Sequence, residues 1–265
     1  MFTLDYNMFK KKSAGNDLRE KELIVSLTTI PERIHKVHIC INTLLNQSVK
    51  PDRVILWICE DDFEKVRIPI LLKMLVKRGL EIRRHYDLRS YLKIIPALKC
   101  FPDALIVTAD DDVRYPVDWL KDLYNAYKKE PEYIHCHRAH LIKYNDSGNV
   151  LPYNEWVWQA GEDIGPSLDL FPTGVGGVLY APGHLGKEVL NEKCFMENCQ
   201  KADDVWLKAM SLMNKTECKK VKSKCFSIKK IKIKNNRTLS EYNVDMGGND
   251  MQLNNINKIY NVFKG

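Results

Sequence analysis

The sequence predicts an α/β fold with an open, mostly parallel central sheet that is covered by helices on both faces. Short apolar runs of strand length alternate with segments of helical periodicity from residue 23 to about residue 140. Most of the strand runs are apolar almost throughout, which is the pattern of strands buried on both faces. Ligands of such sheets bind beyond the carboxyl ends of the strands, so the chemistry is expected there.

Five strands are predicted in the first half of the chain. Each is a run of four to eight mainly apolar residues bounded by turn or charged residues. The predicted strands are Leu23–Thr28, Arg53–Cys59, Leu80–Arg84, Ala104–Thr108 and Tyr133–His137.

Helices are predicted between these strands from apolar residues that recur at helical spacing. They are a stripe that begins at Ile34, then Ile70–Lys77, Tyr91–Cys100 and Val117–Lys129. Gly79 ends the second helix, Pro96 interrupts the third, and Pro116 stands in the first turn of the fourth.

After about residue 140 the alternation stops. A Gly/Pro-rich stretch, Gly161–Gly186, precedes a helix predicted at Asp203–Met213, and a short alternating strand is predicted at Ile231–Lys234. No linker is visible. We therefore expect a loose tail over residues 1–20 and one continuous domain made of two halves, 21–140 and 141–265.

Composition excludes several classes of protein. The 265 residues are 45% hydrophobic and 28% charged, which is ordinary for a globular domain and unlike a disordered chain, a collagen or a coiled coil. No run reaches the ~18 apolar residues of a membrane-spanning helix, and the first 20 residues lack the apolar core of a secretory signal. The eight cysteines form no CxxC pair and are expected to be reduced thiols of a cytoplasmic protein.

The net charge of +7 is too small to indicate nucleic acid as a partner. The position of the charges is more informative than their sum, because Lys219–Arg237 contains nine basic residues and no acidic one. This run is either a solvated face or a surface for anionic lipid headgroups at the inner face of the membrane. It has no aromatic residue beyond Phe226 on which bases could stack.

Three consecutive carboxylates, Asp110, Asp111 and Asp112, directly follow the strand Ala104–Thr108. Such crowding is unfavourable unless a cation lies nearby. Asp110 and Asp112 can address one site if the chain turns there, and their oxygens suit Mg²⁺ or Mn²⁺ with positions left open for phosphate oxygens. The alternative is a solvated acidic turn or the cap of the following helix.

A second acidic pair, Asp203 and Asp204, stands at the start of a predicted helix. Such acids are often caps that interact favourably with the helix dipole. Alternatively, one of them is a general base for an incoming hydroxyl group.

Glycines and tryptophans form two further candidate features. The segment Thr173–Tyr180 has three glycines before a strand, which permit either close approach of the backbone to a ligand or a turn. Trp156 and Trp158 lie upstream, where they either stack on a sugar or pack in the core.

In their order along the chain, these segments resemble the GT-A-fold glycosyltransferases, in particular the family-2-like enzymes of bacterial capsule and lipopolysaccharide biosynthesis. The resemblance covers roughly residues 23–215. The matching segments are Ile24–Arg33, Gln47–Trp57, Lys93–Pro96, Thr108–Tyr115, Gly174–Tyr180 and Asp203–Leu207. It implies a GT-A (Rossmann-like) sheet with a smaller β region on the acceptor side.

The resemblance also implies an activity. This is metal-dependent, inverting transfer of a sugar from a nucleotide-diphosphate donor, with a UDP-sugar expected, to a glycan or lipid-linked acceptor. The expected cofactor is Mn²⁺ or Mg²⁺, which would act as a Lewis acid on the leaving diphosphate.

The resemblance assigns roles to individual residues. The expected donor-binding residues are Thr28, Thr29, Arg33, Lys93, Asp110, Asp111, Gly176 and Gly177. The expected metal ligands are Asp112 and Asp110. The expected catalytic base is Asp204, with Asp203 as the alternative, and the expected acceptor-binding residues are Trp156 and Trp158.

Two other classes of function compete with this one. A sugar nucleotidyltransferase or a phosphohydrolase would use the acidic cluster for phosphoryl chemistry, although the first loop, Thr28–Pro31, lacks the glycines typical of a nucleotidyltransferase. A non-catalytic module would bind glycans or anionic lipid through the tryptophans and the basic run, without a metal.

Overall fold

The computed structural model describes residues 19–161, 164–223, 227–232 and 241–264. Its strands are β1 (Leu23–Thr28), β2 (Arg53–Cys59), β3 (Leu80–His85), β4 (Leu105–Ala109), β5 (Val113–Arg114), β6 (Ile134–Cys136), β7 (Ala139–Leu141), β8 (Leu170–Pro172), β9 (Val178–Tyr180), β10 (Cys218–Lys220) and β11 (Lys229–Lys230).

The longer helices are α1 (Val37–Leu45), α2 (Ile70–Val76), α3 (Ile95–Cys100), α4 (Trp119–Lys129), α5 (Glu192–Asn198), α6 (Asp203–Met213) and α7 (Gly248–Tyr260). Short helical turns lie at Pro31–Arg33, Arg89–Lys93, Tyr153–Glu155, Gly174–Gly176, Lys187–Leu190 and Glu241–Asp245. None of the helices in the described part of the chain combines the length and apolarity that a membrane span requires.

Seven strands form the central sheet in the order β10-β6-β9-β4-β1-β2-β3. β1 pairs in parallel with β2 and β4, β2 with β3, and β6 with β10. β9 is antiparallel to both of its neighbours, β4 and β6. Two antiparallel pairs, β7–β8 and β5–β11, lie outside the central sheet.

Both faces of the sheet are covered, as the apolar strands predict. In β1, Ile24 packs into a core that includes Trp206 of α6, whereas Val25 points into another core that includes Leu44 of α1. Successive strand residues point to opposite faces, so a strand between two cores must be apolar at nearly every position. The predicted Rossmann-like α/β class is confirmed.

Most predicted elements agree with the structure within a residue or two, and two helices differ for reasons of proline chemistry. The stripe from Ile34 becomes helical only at Val37, because Pro31 starts a separate single turn. The segment Tyr91–Cys100 is divided at Ile94, and α3 carries Pro96 in its first turn. Proline lacks an amide hydrogen, so it can stand in a first turn but cannot continue a helix across itself.

The strand predicted at Ile231–Lys234 was misplaced. β11 is Lys229–Lys230 and pairs with the two-residue strand β5, after which the backbone N–H of Ile231 donates to Asp112 O. Residues 233 and 234 lie outside the described residues, as do residues 1–18 of the predicted tail. The seven described cysteines are free thiols, of which Cys100 is exposed.

Candidate active site

The acidic triplet, the glycine loop and the loop after β1 meet at one edge of the central sheet. Thr108 near the end of β4 pairs with Val178 at the start of β9, and Cys136 at the end of β6 pairs with the same residue. Because β9 runs antiparallel to β4, the glycine loop before β9 lies beside the acidic triplet after β4. The carboxyl end of β1 reaches the same edge, since Leu27 pairs with Ala109.

Asp111 is buried and joined to the loop after β1. The hydroxyl group of Thr29 donates to Asp111 Oδ2 at 2.6 Å, and Arg33 Nη1 donates to Asp111 Oδ1 at 2.7 Å. Burial raises the pKa of Asp111 above its ordinary value, while Arg33 and Thr29 act to lower it. Both of its oxygens are therefore occupied by protein groups, and Asp111 holds the acidic loop in place.

Lys93 connects the two acidic segments. Its buried ammonium group lies 3.2 Å from Asp110 Oδ1 and 2.8 Å from Asp203 Oδ2. Burial alone would lower the pKa of Lys93, but Asp110, Asp203 and Asp204 raise it well above its ordinary value. The residues 110–112 and 203–204 thus belong to a single site with a cation at its centre.

Asp204 lies half-buried at the first turn of α6, beside this cation. Both of its carboxylate oxygens lie 3.1 Å from the backbone nitrogen of Gly174, which donates to them. Burial and the neighbouring Asp203 raise the pKa of Asp204 to about 7, against the opposing effects of Lys93 and the Gly174 N–H. A carboxyl group of this kind can gain or lose a proton near neutral pH.

Gly174, and not Gly176 or Gly177, is the glycine that borders the acidic site. A Cβ atom at Gly174 would lie 2.9 Å from Lys93 Nζ and 3.1 Å from Asp204 Oδ1. Gly176 is packed against Arg138, and Gly177, with φ of +88°, against the indole ring of Trp119. The last two glycines shape the loop, because any side chain there would collide with these residues.

Asp112 lies at the outer side of the cluster, next to the basic run. Its carboxylate is 3.4 Å from Arg33 Nη1. Burial and Asp110 raise the pKa of Asp112, whereas Arg33 and Lys230 act to lower it. The pairing of β11 with β5 brings Lys230 to the site, so part of the basic run contributes its charge there.

Three other predicted site residues, Thr28, Trp156 and Trp158, contact groups other than the acidic cluster. The hydroxyl group of Thr28 donates to Trp57 O at 3.0 Å and is half-buried. Trp156 is only 4% exposed, packs on Phe171, and donates its Nε1–H to Leu151 O. Trp158 is 41% exposed and lies next to His140. Trp158, and not Trp156, therefore has a face that is open to a ligand.

Asp110 and Asp112 are the predicted metal ligands. Among the described residues, no three His, Cys, Asp or Glu side chains are close enough to form a metal-binding group. Asp110 and Asp112 are both partly exposed, and the charge of Asp110 raises the pKa of Asp112. Mg²⁺ is commonly held by one or two carboxylates, with phosphate and water oxygens as its other ligands. The two residues fit that arrangement, and a divalent cation would relieve their repulsion.

Sequence reasoning missed three residues of the site. Lys230 was assigned only to a general basic run, because nothing local predicts that β11 pairs with β5. Tyr115 was not considered, yet its hydroxyl oxygen accepts a hydrogen bond from Asp110 N at 2.8 Å. Gly174 was noticed as part of the loop, but three glycines within four residues gave no signal as to which one borders the site.

Comparisons with known proteins do not assign a family. No protein-family model matches the chain, and no curated protein sequence matches it. Among solved structures, the chain is similar to the UTP-bound UGPase from Acinetobacter baumannii, with a TM-score of 0.39 and 9% sequence identity over 76% of this chain and 86% of that one.

Proposed function

We propose that this protein is a glycosyltransferase that moves a sugar from a nucleotide-diphosphate donor to a hydroxyl group of a glycan or lipid-linked acceptor. The observation that carries the proposal is the position of Asp204, a half-buried carboxyl group beside Asp203 and Gly174 at the same edge as the acidic triplet. A general base is most effective when its pKa lies near the working pH. The sequence resemblance to capsule and lipopolysaccharide enzymes extends the proposal to bacterial surface polysaccharides as acceptors.

The proposed reaction is an in-line displacement. The Asp204 carboxylate accepts the proton of the acceptor hydroxyl group while the hydroxyl oxygen forms a bond to the anomeric carbon. The bond from that carbon to the phosphate oxygen breaks, and its electron pair leaves with the nucleoside diphosphate. Attack opposite the leaving group inverts the anomeric configuration. Because Lys93 already neutralises Asp203, Asp204 is the better base of the pair.

The leaving diphosphate requires positive charge, which the protein supplies at the outer side of the cluster. Arg33 and Lys230 both act on Asp112, and Lys230 is exposed. Arginine and lysine are the usual side chains that bind phosphate oxygens. We propose that the diphosphate lies against these two cations, while Lys93 holds Asp110 and Asp203 together through its two ion pairs.

Asp110 and Asp112 would hold Mn²⁺ or Mg²⁺. When bound, this ion would supply Lewis-acid stabilisation of the charge that develops on the diphosphate.

The proposal is tested with a panel of UDP-sugars and other nucleotide sugars in the presence and absence of Mn²⁺. A true donor at a hundred times its dissociation constant should stabilise the protein by about 2.7 kcal/mol. It should also release nucleoside diphosphate when a mixture of polysaccharide fragments is added. Release of pyrophosphate from a nucleoside triphosphate and a sugar 1-phosphate would identify a nucleotidyltransferase instead. Glycan binding without nucleotide affinity would identify a binding module.

Lys230→Ala is expected to weaken UDP binding about three- to tenfold, because it removes a cation from the diphosphate position. That change corresponds to about 0.6–1.4 kcal/mol. Isothermal titration calorimetry with UDP at two salt concentrations measures it, and the difference from wild type should shrink at the higher salt. Lys229→Ala is the matched control, since adjacent strand residues point to opposite faces. Equal effects of the two changes would contradict the role given to Lys230.

Asp112→Asn is expected to remove nearly all metal-dependent turnover while leaving the fold intact, because a neutral amide is a poor ligand for a hard divalent cation. Nucleoside diphosphate release at increasing Mn²⁺ measures the effect, with a thermal melt as the control for folding. Turnover at the wild-type level, with the same dependence on Mn²⁺, would remove Asp112 from the metal site.

A further inference from the structure

Helix α2 exposes an apolar face that lies outside the proposed active site. Ile70, Leu71 and Met74 are 69%, 46% and 56% exposed. On the other side of the helix, Leu72 and Leu75 are buried in the core between α1 and the sheet. The helix is therefore anchored through one face, while three large apolar side chains within five residues face solvent. We call these three residues the α2 patch.

The α2 patch lies in a basic stretch of the chain, which follows the exposed acidic residues Asp61, Asp62 and Glu64. Between residues 65 and 80 the sequence has no acidic residue, and its basic residues are Lys65, Arg67, Lys73, Lys77 and Arg78, all of them exposed. Lys73 and Lys77 follow Ile70 at three and seven positions, so they share its helical face. Within the described part of the chain, neither lysine makes an ion pair. Their charge is available to an outside partner.

We infer that the α2 patch docks this protein onto an anionic lipid bilayer. Exposed apolar side chains with lysines beside them match a membrane interface, where the apolar groups enter the acyl boundary and the ammonium groups meet lipid phosphates. The aliphatic part of a lysine side chain can lie along an apolar surface while its ammonium group reaches the polar headgroups. A protein partner fits less well, because lysine is depleted from protein–protein interfaces.

The basic run Lys219–Arg237 is a weaker candidate for the same contact. Lys219 is paired with Glu130 at 2.6 Å, and Lys220 donates to Ala160 O. Lys230 faces Asp112 at the proposed active site. Several charges of the described part of this run are thus used within the protein, and no comparable group of exposed large apolar residues accompanies them in that part. The inference about α2 does not depend on the proposed function.

The test is co-sedimentation of the full chain with vesicles of phosphatidylcholine containing 30% phosphatidylglycerol, compared with pure phosphatidylcholine. Wild type is expected to bind the anionic vesicles only, and less as salt is raised. The triple variant Ile70→Gln, Leu71→Gln, Met74→Gln should reduce the partition coefficient at least tenfold. Lys73→Gln together with Lys77→Gln should reduce it by roughly fivefold for each charge removed.

The matched control replaces three exposed apolar residues elsewhere, as Val117→Gln, Met246→Gln and Ile259→Gln, and should bind as wild type does. Every substituted side chain is exposed, so thermal melts should be unchanged, and the comparison is made between variants that melt as wild type does. Absence of vesicle binding by wild type at low salt would overturn the inference. The inference would also be overturned if the α2 variants bound anionic vesicles as wild type does, or if wild type bound neutral vesicles equally well. An equally large loss of binding in the control variant would overturn it too.

Discussion

Asp204→Asn is expected to lower the turnover number about 10²–10⁴-fold, the usual contribution of a general base. The amide is nearly isosteric and its oxygen can still accept from the Gly174 N–H, so the site should keep its shape. The affinity for UDP should change little, because Asp204 is placed on the acceptor side. The activity of wild type should rise with pH through a midpoint near the Asp204 pKa of about 7. Steady-state kinetics from pH 5 to 9 measures both effects.

Asp204→Asn should lower turnover but increase the free energy of unfolding. The folded-state pKa of Asp204 is raised above its ordinary value of 3.8, so the folded protein binds this proton more tightly than the unfolded chain does. Its contribution to stability is complete below pH about 4 and is lost as the pH rises through about 7. Asn resembles the neutral acid at every pH, so the variant should gain stability relative to wild type between pH 4 and 7.

Asp146→Asn is the control for both measurements, because Asp146 lies exposed in a surface turn. It should match wild type in turnover and in the pH dependence of unfolding. Unchanged turnover in Asp204→Asn would remove this residue from the role of base. A variant less stable than wild type at pH 8 would contradict the raised pKa.

Lys93→Met is expected to reduce the free energy of unfolding by about 3–5 kcal/mol, because it leaves buried carboxylates without their cation. Asp203 is the most affected, since its Oδ2 lies 2.8 Å from the lysine nitrogen. The pKa of Lys93 is raised in the folded state, so its contribution is complete below pH about 10.5 and is lost as the pH rises through the folded-state value. Removing Lys93 also removes its lowering effect on the pKa of Asp204, so the loss of stability relative to wild type, measured by denaturant unfolding, should grow between pH 7 and 9.

Lys208→Met is the matched control for this prediction. Lys208 is as deeply buried as Lys93, but its nitrogen contacts the thiol of Cys218 at 3.8 Å. Among the described residues Lys208 forms no ion pair with a carboxylate, so the cost of removing it should be much smaller. In an Asp203→Asn background the cost of Lys93→Met should also fall, as expected for residues that interact directly. Equal costs for the two lysines would contradict the central position of Lys93.

The sequence was sufficient to predict the five central-sheet strands of the first half of the chain, because these runs are apolar enough to be recognised locally, but β10 was not predicted. Leu23–Thr28 and Arg53–Cys59 are apolar almost throughout, and both strands begin and end where the pattern predicts. Short elements were harder to predict. β11 is only two residues long and is positioned by its pairing with β5, a contact between residues far apart in the chain.

The candidate site could be predicted in parts but not as a whole. The acidic residues stand out as Asp110–Asp112 and Asp203–Asp204, yet nothing in their local sequence indicates that Lys93 joins them. That connection requires the order of strands β1, β4 and β9, which places both segments at one edge. The sequence also could not show that Trp156 belongs to the core, since an aromatic residue has the same local pattern in a core as on a binding surface.

A crystal structure of the protein with a nucleotide sugar and Mn²⁺ tests the proposed mechanism most directly. We predict that the diphosphate lies against Arg33 and Lys230 and that the anomeric carbon faces Asp204 on the side opposite the diphosphate. A nucleotide bound away from the carboxyl edge of the sheet would contradict this mechanism, as would a sugar whose anomeric carbon is turned away from Asp204.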